Sequence, residues 1–166
     1  MAEAHVNIGS NIGDRRAHIE RAVAAIRGGL AAESGVRRSE YFESEAWGFE
    51  SANRFLNLGI IFEWDGTGEE LLDFLLRIQQ SICSDSHRNV DGEYIDRKID
   101  IDLIALGDSV CSTPRLTLPH PRMTEREFVL RPMAELMPEW RHPHNGLKAA
   151  EMLDGLLRRR LCGRGE

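Results

Sequence analysis

The apolar and polar positions alternate between strand-like and helix-like runs. Ala4 to Ile8 reads as a short strand that breaks at Gly9-Ser10-Asn11-Ile12-Gly13, after which Ile19, Ala22, Val23, Ile26 and Leu30 recur at helical spacing. Val36 to Ser44 carries β-formers between charges, and Phe55 to Trp64 (FLNLGIIFEW) is strongly apolar and β-rich, with Glu45 to Arg54 between them. Two neighbouring strands joined by a long loop are predicted. Thr67 followed by Glu70 has the spacing of a capping box, and Leu71, Leu72, Leu75, Ile78 and Ile82 continue with helical period, so a second helix follows.

Ser84 to Asp96 (SDSHRNVDGEYID) is polar, contains Gly92 and shows neither period; a loop of about 13 residues is long enough that a functional role is expected of it. Lys98 to Leu106 (KIDIDLIAL) alternates Ile with Asp before turning wholly apolar, which predicts a central strand with an acidic entry. Leu116 to Met123 (LTLPHPRM) reads as an extended segment fixed by its prolines, Thr124 starts a short helix, and Leu153, Leu156 and Leu157 give the last helix an apolar stripe. Irregular alternation of strands and helices points to an α+β sandwich with helices packed on a mixed or antiparallel sheet. With no repeat, low-complexity tract or linker, one domain is expected over 1–166, with a basic tail over about 156–166 in which Arg158, Arg159 and Arg160 form a frayed, solvated end.

Composition narrows the class. Hydrophobic residues at 42% and charged residues at 29% are those of an ordinary globular chain, which removes disordered, collagen-like and disulfide-scaffold readings. A net charge of −6, from 21 Lys and Arg against 27 Asp and Glu, argues against a long nucleic acid as partner, while a local basic patch remains able to hold a few phosphates. Cys83, Cys111 and Cys162 lack CxxC spacing, so neither a disulfide framework nor a thiolate zinc site is expected. The N-terminus MAEAHVNIGSNIGD has no signal layout, and no window approaches the ~18 apolar residues of a membrane span, so a soluble, cytoplasmic protein is expected.

The most informative constellation is Asp100-Ile101-Asp102. On a strand, residues i and i+2 share a face, so the two carboxylates stand ~7 Å apart while Ile99, Ile101 and Leu103 turn into the core. Two hard oxygen ligands on one rigid element suit Mg²⁺. The plainer alternative is a half-exposed strand with solvated carboxylates, although Asp is disfavoured in strands. Arg97 and Lys98 precede the pair, and His87 and Arg88 lie in the loop before it; they either neutralise a polyphosphate that bridges to metal or form surface ion pairs. Pro119 and Pro121 hold His120 extended, in a structural or a catalytic capacity. From Ser112 to Arg131, Arg115, Arg122, Arg126 and Arg131 outnumber Glu125 and Glu127, the local positive patch an anionic ligand requires. The Gly9 to Gly13 segment lacks both common phosphate-loop spacings and reads first as a turn. His142-Pro143-His144 reads as a surface turn, and Trp47, Phe49 and Phe55 as core or loop-anchoring aromatics on which a flat substrate could also stack.

Taken in order, Gly9-Ser10-Asn11-Ile12-Gly13-Asp14, Ser39 to Gly48, Phe55-Leu56-Asn57, Arg97-Lys98-Ile99-Asp100-Ile101-Asp102-Leu103, and Leu118-Pro119-His120-Pro121-Arg122-Met123 with Arg126, Phe128, Val129 and Leu130 resemble the 6-hydroxymethyl-7,8-dihydropterin pyrophosphokinase family, from residue 5 to about residue 155. The resemblance implies a ferredoxin-like α+β fold with a mainly antiparallel sheet, and transfer of pyrophosphate from ATP to a reduced pterin in folate biosynthesis, giving AMP. It implies Asp100 and Asp102 as ligands of two Mg²⁺ ions, with Arg88, Arg97, Asp100 and Asp102 catalytic. It implies His87, Arg88, Arg97, His120 and Arg126 on the nucleotide, and Ser44, Trp47, Phe55, Asn57 and Phe128 on the pterin. ATP and the hydroxymethyl dihydropterin are the expected partners of a monomer that binds neither nucleic acid nor membrane.

The chain departs from the family pattern in places. Gln79 stands where a Glu is usual near the end of the second helix, Ser84-Asp85-Ser86-His87-Arg88 replaces a Gly-Arg-x-Arg run, and the loop before the Asp pair is longer. Arg88 is placed to take over one arginine role, Tyr94 stands where a loop aromatic is common, and Glu45 replaces a frequent Pro. Two other classes stay open: a non-catalytic ligand-binding homologue, suggested by the altered loop, and a small nucleic-acid-binding module, opposed by the net charge and by the lack of an aromatic RNA-binding signature.

Overall fold

The computed structural model describes residues 1–46, 52–83 and 98–163. Strand β1 (Ala2–Ser10) buries Ala4, Val6 and Ile8 on one face and carries His5, Asn7 and Gly9 on the other. It is followed by α1 (Arg15–Gly29), β2 (Arg37–Arg38), β3 (Phe42–Ser44), β4 (Phe55–Trp64), α2 (Gly68–Ile82) and β5 (Asp100–Leu106). Counting β2 and β3 as one interrupted strand, this is a β-α-β-β-α-β run. Its antiparallel pairings give the spatial order β5-β1-β4-β2, with β3 pairing farther along β4. That is the ferredoxin-like α+β arrangement expected from the sequence.

Helices α1 and α2 bury most of the stripe their spacing predicted, with Leu30, Leu72 and Ile82 half-buried. Ile19, Ala22, Val23 and Ile26 of α1 and Leu71, Leu75 and Ile78 of α2 pack on the Ala4, Val6, Ile8 face of the sheet. Each fully buried large aliphatic there stabilises by about 2 kcal/mol. Asp14 caps α1 by accepting from the Ala17 N–H at 3.1 Å, and both bonds of the Thr67–Glu70 capping box are present at α2. The opposite face is covered by α3 (Glu127–Leu136) and α4 (Ala149–Gly163), through Val129, Leu130, Met133, Ala149, Met152 and Leu156 packed with Ile61, Ile104 and Ala105. At Gly59 a Cβ would lie 2.4 Å from Cβ of Pro132, so the approach of α3 to β4 depends on that missing side chain.

Several boundaries differ from the sequence reading. β1 runs on through Gly9 to Ser10, and the turn's positive φ, 70°, belongs to Gly13. Among the described residues β5 is an edge strand rather than a central one. Its apolar run is explained by cover on both faces, with Leu103 and Leu106 under α1 and α2 and Ile104 and Ala105 under α3 and α4. A register shift between His5 and Val6 leaves Ile104 as the extra residue of a bulge, which brings Ile104 and Ala105 to the same core. The proline-bearing segment starts as β7 (Thr117–Leu118), paired with β6 (Cys111–Ser112), and passes through a cis Leu118–Pro119 peptide. Thr124 lies in a single 3₁₀ turn (Met123–Glu125) ahead of α3. The basic tail is not frayed at Arg158 to Arg160: α4 continues to Gly163, with Arg158 paired to Asp154 at 3.0 Å and Arg160 to Glu127 at 2.5 Å. No helix among the described residues is long and apolar enough to cross a membrane.

Candidate active site

On the sheet face shared with α3, beyond the N-terminal end of that helix, a cavity of about 140 Å³ opens over three strands. Register sets its floor. Asn57 of β4, Gly9 of β1 and Asp100 of β5 lie side by side in one cross-strand row, and Gly59, Asn7 and Asp102 form the next. His120, Arg126 and Phe128 line it from the chain leading into α3, and Ser44 and Glu45 from the end of β3. Asp100, Asp102, Ser44, Phe55, Asn57, His120, Arg126 and Phe128, all expected at a site from sequence, therefore meet in one cavity. Trp47, His87, Arg88 and Arg97, with Phe49 and Tyr94, lie outside the described residues. Asn7 was not anticipated; its signal was a polar residue inside an otherwise strand-like segment.

One end of the cavity is lined by Phe55, Phe128, Gly9 and the Asn57 amide. The Asn57 side chain is 2% exposed, and its Nδ2 donates to the Phe42 carbonyl at 3.1 Å and to Ser44 Oγ at 2.8 Å. With both N–H groups spent on β3, the amide presents its oxygen toward Gly9, whose missing Cβ would have stood 3.2 Å from Oδ1. Gly9 thus leaves room above the sheet between Phe55 and Phe128. Asn57 offers that space an acceptor and not the mixed edge that an unbound amide would.

The other end is charged. Asp100 and Asp102 are half-buried on the cavity face of β5 while Ile99, Ile101 and Leu103 are buried, as the alternation predicted. Gln79 Oε1 accepts the Ile101 N–H at 2.8 Å, so α2 fastens the outer edge of β5 between the two carboxylates. Arg126, itself 9% exposed, places Nη1 3.8 Å from Asp102 Oδ2 and its guanidinium carbon 5.7 Å from the centre of the Phe128 ring. The bulge at Ile104 frees a carbonyl that accepts the His120 N–H at 2.8 Å. His120 Nδ1 accepts from the Arg122 N–H at 3.2 Å, which assigns the ring proton to Nε2. Burial, reinforced by Arg126, lowers the His120 pKa to about 4, so the ring is neutral at pH 7 and serves as a hydrogen-bond donor.

Two carboxylates beside a guanidinium form a donor set that fits Mg²⁺, which takes one or two protein carboxylates and completes its shell with water and phosphate oxygens. Among the described residues no group of three His, Cys, Asp or Glu side chains is placed to hold a metal by itself. His144 lies in the exposed turn expected of the pair, whereas His142 is buried, edge-on to Trp140 with ring centres 5.9 Å apart, its Nδ1 accepting from the His144 N–H at 3.2 Å.

Fold and cavity together define a ferredoxin-like domain whose cavity sets two phenylalanines and a buried amide beside two carboxylates and a guanidinium. The family model described as 7,8-dihydro-6-hydroxymethylpterin-pyrophosphokinase (HPPK) matches residues 5–138. Similar curated proteins are the 2-amino-4-hydroxy-6-hydroxymethyldihydropteridine pyrophosphokinases of Porphyromonas gingivalis and Aquifex aeolicus. The first is 33% identical over 146 residues, spanning 86% of this chain and 95% of the relative, and the second 32% identical over 143 residues, spanning 86% and 85%. That of Methylorubrum extorquens is 35% identical over 142 residues, 84% of this chain and 85% of its own. Among solved structures, an HPPK-DHPS protein in complex with substrates aligns with a TM-score of 0.72 at 10% identity over 96% of this chain, and a Plasmodium falciparum HPPK-DHPS with 0.73 at 12% over 95%. The chain spans 46% of the length of each of these two structures, and at such identity they speak to the fold alone. The chain belongs to the hydroxymethyldihydropterin pyrophosphokinase family of enzymes.

Proposed function

We propose that the chain, as a single catalytic domain, transfers the pyrophosphoryl group of ATP to the hydroxymethyl arm of 6-hydroxymethyl-7,8-dihydropterin. The hydroxyl oxygen bonds to the β-phosphorus, the bond from that phosphorus to the α–β bridging oxygen breaks, AMP leaves, and the hydroxyl proton passes to solvent. The observation that carries the reading is the joining, in one cavity, of an aromatic slot with a buried acceptor at Asn57 to the same-face pair Asp100 and Asp102. The Asn57 oxygen is assigned to the ring's N–H edge, with Phe55 and Phe128 on the ring faces and Ser44 holding the amide in place. His120, through Nε2–H, and Arg126 are assigned to phosphate oxygens; a neutral donor and a guanidinium both gain as charge develops on the transferring group. Arg88, Arg97, His87 and Trp47 are given their nucleotide and pterin roles on the resemblance alone.

Asp100 and Asp102 are assigned to hold two Mg²⁺ ions, which supply charge neutralisation and alignment of the triphosphate when bound. The chain's own part is to fix both carboxylates on one strand, braced by Gln79, so that little rearrangement remains at the moment of reaction. The test is AMP formation on mixing the protein with ATP, Mg²⁺ and the dihydropterin. Asp100→Ala and Asp102→Ala are expected to abolish turnover with the fold kept; near-normal turnover in both would overturn the metal assignment. Pterin binding with no AMP from the unaltered chain would instead favour a binding homologue.

A further inference from the structure

We propose that Asn7 is a further substrate-contacting residue, its side-chain amide taking the hydroxyl of the pterin's hydroxymethyl arm and orienting it for attack. This rests on the pyrophosphokinase reading and adds to it a residue that none of the sequence motifs contains.

Asn7 lies in the middle of the cavity floor, directly opposite Gly59 on β4 and Asp102 on β5. It is 3% exposed, and its Oδ1 is buried without a hydrogen-bond donor. An unsatisfied buried carbonyl is a standing cost, and in a residue that lines a cavity it is removed when the amide turns its oxygen to a ligand that brings the missing donor. The residues beside it on the sheet do not supply one. Gly59 has no side chain, and the Asp102 carboxylate has only acceptor atoms when ionised. His5, next along the same face of β1, makes no hydrogen bond through either ring nitrogen. In a neighbouring floor row Asn57 does have its Nδ2 donors engaged, so of the two amides at the site one is locked by protein and the other waits on substrate.

Position selects the donor. The Asn57–Gly9–Asp100 row underlies the ring slot, and the Asn7–Asp102 row carries the second carboxylate of the phosphate end. The part of the substrate that bridges these ends is the arm that reacts, and the donor it bears is the alcohol O–H. A half-turn about the terminal side-chain torsion exchanges the amide oxygen and nitrogen without changing the space they fill, so either amide atom can be turned to the cavity. With Oδ1 accepting the O–H, the oxygen lone pairs stay free to face the β-phosphorus, which is orientation and not proton abstraction.

The test is equilibrium binding with Mg²⁺ and α,β-methylene ATP, so that no turnover intervenes. Two ligands are compared, 6-hydroxymethyl-7,8-dihydropterin and its 6-methyl counterpart, which lacks only the hydroxyl. The unaltered protein is expected to prefer the alcohol. Asn7→Ala is expected to weaken the alcohol about tenfold while leaving the methyl compound within about twofold, as loss of one hydrogen bond predicts. Asn7→Leu, which keeps the branching of Asn and removes its polar atoms, should show the same selective loss, and a thermal melt of each variant reports folding. Equal weakening of both ligands, or no weakening of either, in a folded variant overturns the assignment. If the unaltered protein binds neither ligand, the pyrophosphokinase reading fails, and the assignment of Asn7 fails with it.

Discussion

His5 makes the folded state pay for acid, and the amount can be worked out. The imidazole is fully buried on β1, opposite Ile61 and Ala105, and neither ring nitrogen has a hydrogen-bond partner. Burial without a partner lowers its pKa from 6.5 to about 3. Above pH 6.5 the ring is neutral in folded and unfolded chains alike and has no influence on the balance. Below it the unfolded chain takes up a proton that the folded chain refuses, so stability falls as pH drops from 6.5 toward 3. Each pH unit in that window costs about 1.4 kcal/mol, so His5 alone removes roughly 3 kcal/mol by pH 4.5, a large share of a typical 5–15 kcal/mol. The perturbation is His5→Leu, close in volume and unable to titrate. Urea unfolding at pH 7.5 and pH 4.5 should show the variant losing about 3 kcal/mol less than the parent between the two conditions. Glu20, pulled down to about 2 chiefly by its hydrogen bond from Arg38, and His120, lowered to about 4, add acid losses of their own that are common to both proteins and cancel in the difference. An identical pH loss in parent and variant would refute the account.

Other substitutions test other contacts. Gly9→Ala puts a Cβ 3.2 Å from Asn57 Oδ1 and 3.4 Å from Phe55, so affinity for the pterin should fall while ATP affinity is retained, as separate titrations would show; equal loss of both would remove Gly9 from the ring slot. Gly59→Ala drives a Cβ to 2.4 Å from Pro132 and should cost about 1–3 kcal/mol through overpacking, read as a lower urea midpoint; an unchanged midpoint would mean that α3 shifts freely. Gln79→Leu leaves the Ile101 N–H without its acceptor, so the Mg²⁺ concentration for half-maximal turnover should rise, and Gln79→Glu, which keeps an acceptor, should restore it at least in part. No change in Mg²⁺ requirement for the Leu variant would remove the brace from the account of the site.

The strand and helix order could be read from the chain because each element carries its own period, and because the Thr67–Glu70 box marks where α2 begins. The Asp100–Asp102 pair was legible for the same reason: period two fixes two carboxylates on one face whatever the strand's neighbours. What the chain could not show was which strand lies at the edge. A run such as Leu103 to Leu106 is apolar on both faces whether it has one neighbouring strand or two, since layers above and below, and not partners alongside, dictate its composition. Asn7 was passed over because a lone polar residue in a short strand carries no motif; only cross-strand register places it opposite Asp102. The basic C-terminal residues read as a frayed end although Asp154 and Arg158 have the i,i+4 spacing of an intrahelical pair, while the pair of Arg160 with Glu127 of α3 depends on how the chain folds.

The single strand β1 separates two kinds of genetic change. Ala4, Val6 and Ile8 answer only to the layer of α1 and α2, whereas His5, Asn7 and Gly9 look the other way, the last two into the cavity. A randomised library over this one segment of 9 residues would therefore sort itself by parity. Variants at even positions would be won or lost on solubility and melting, and those at positions 7 and 9 on which ring, and which substituent on the ring, is accepted. Redesign of substrate choice in this protein can begin at two alternate residues that face away from the core under α1 and α2.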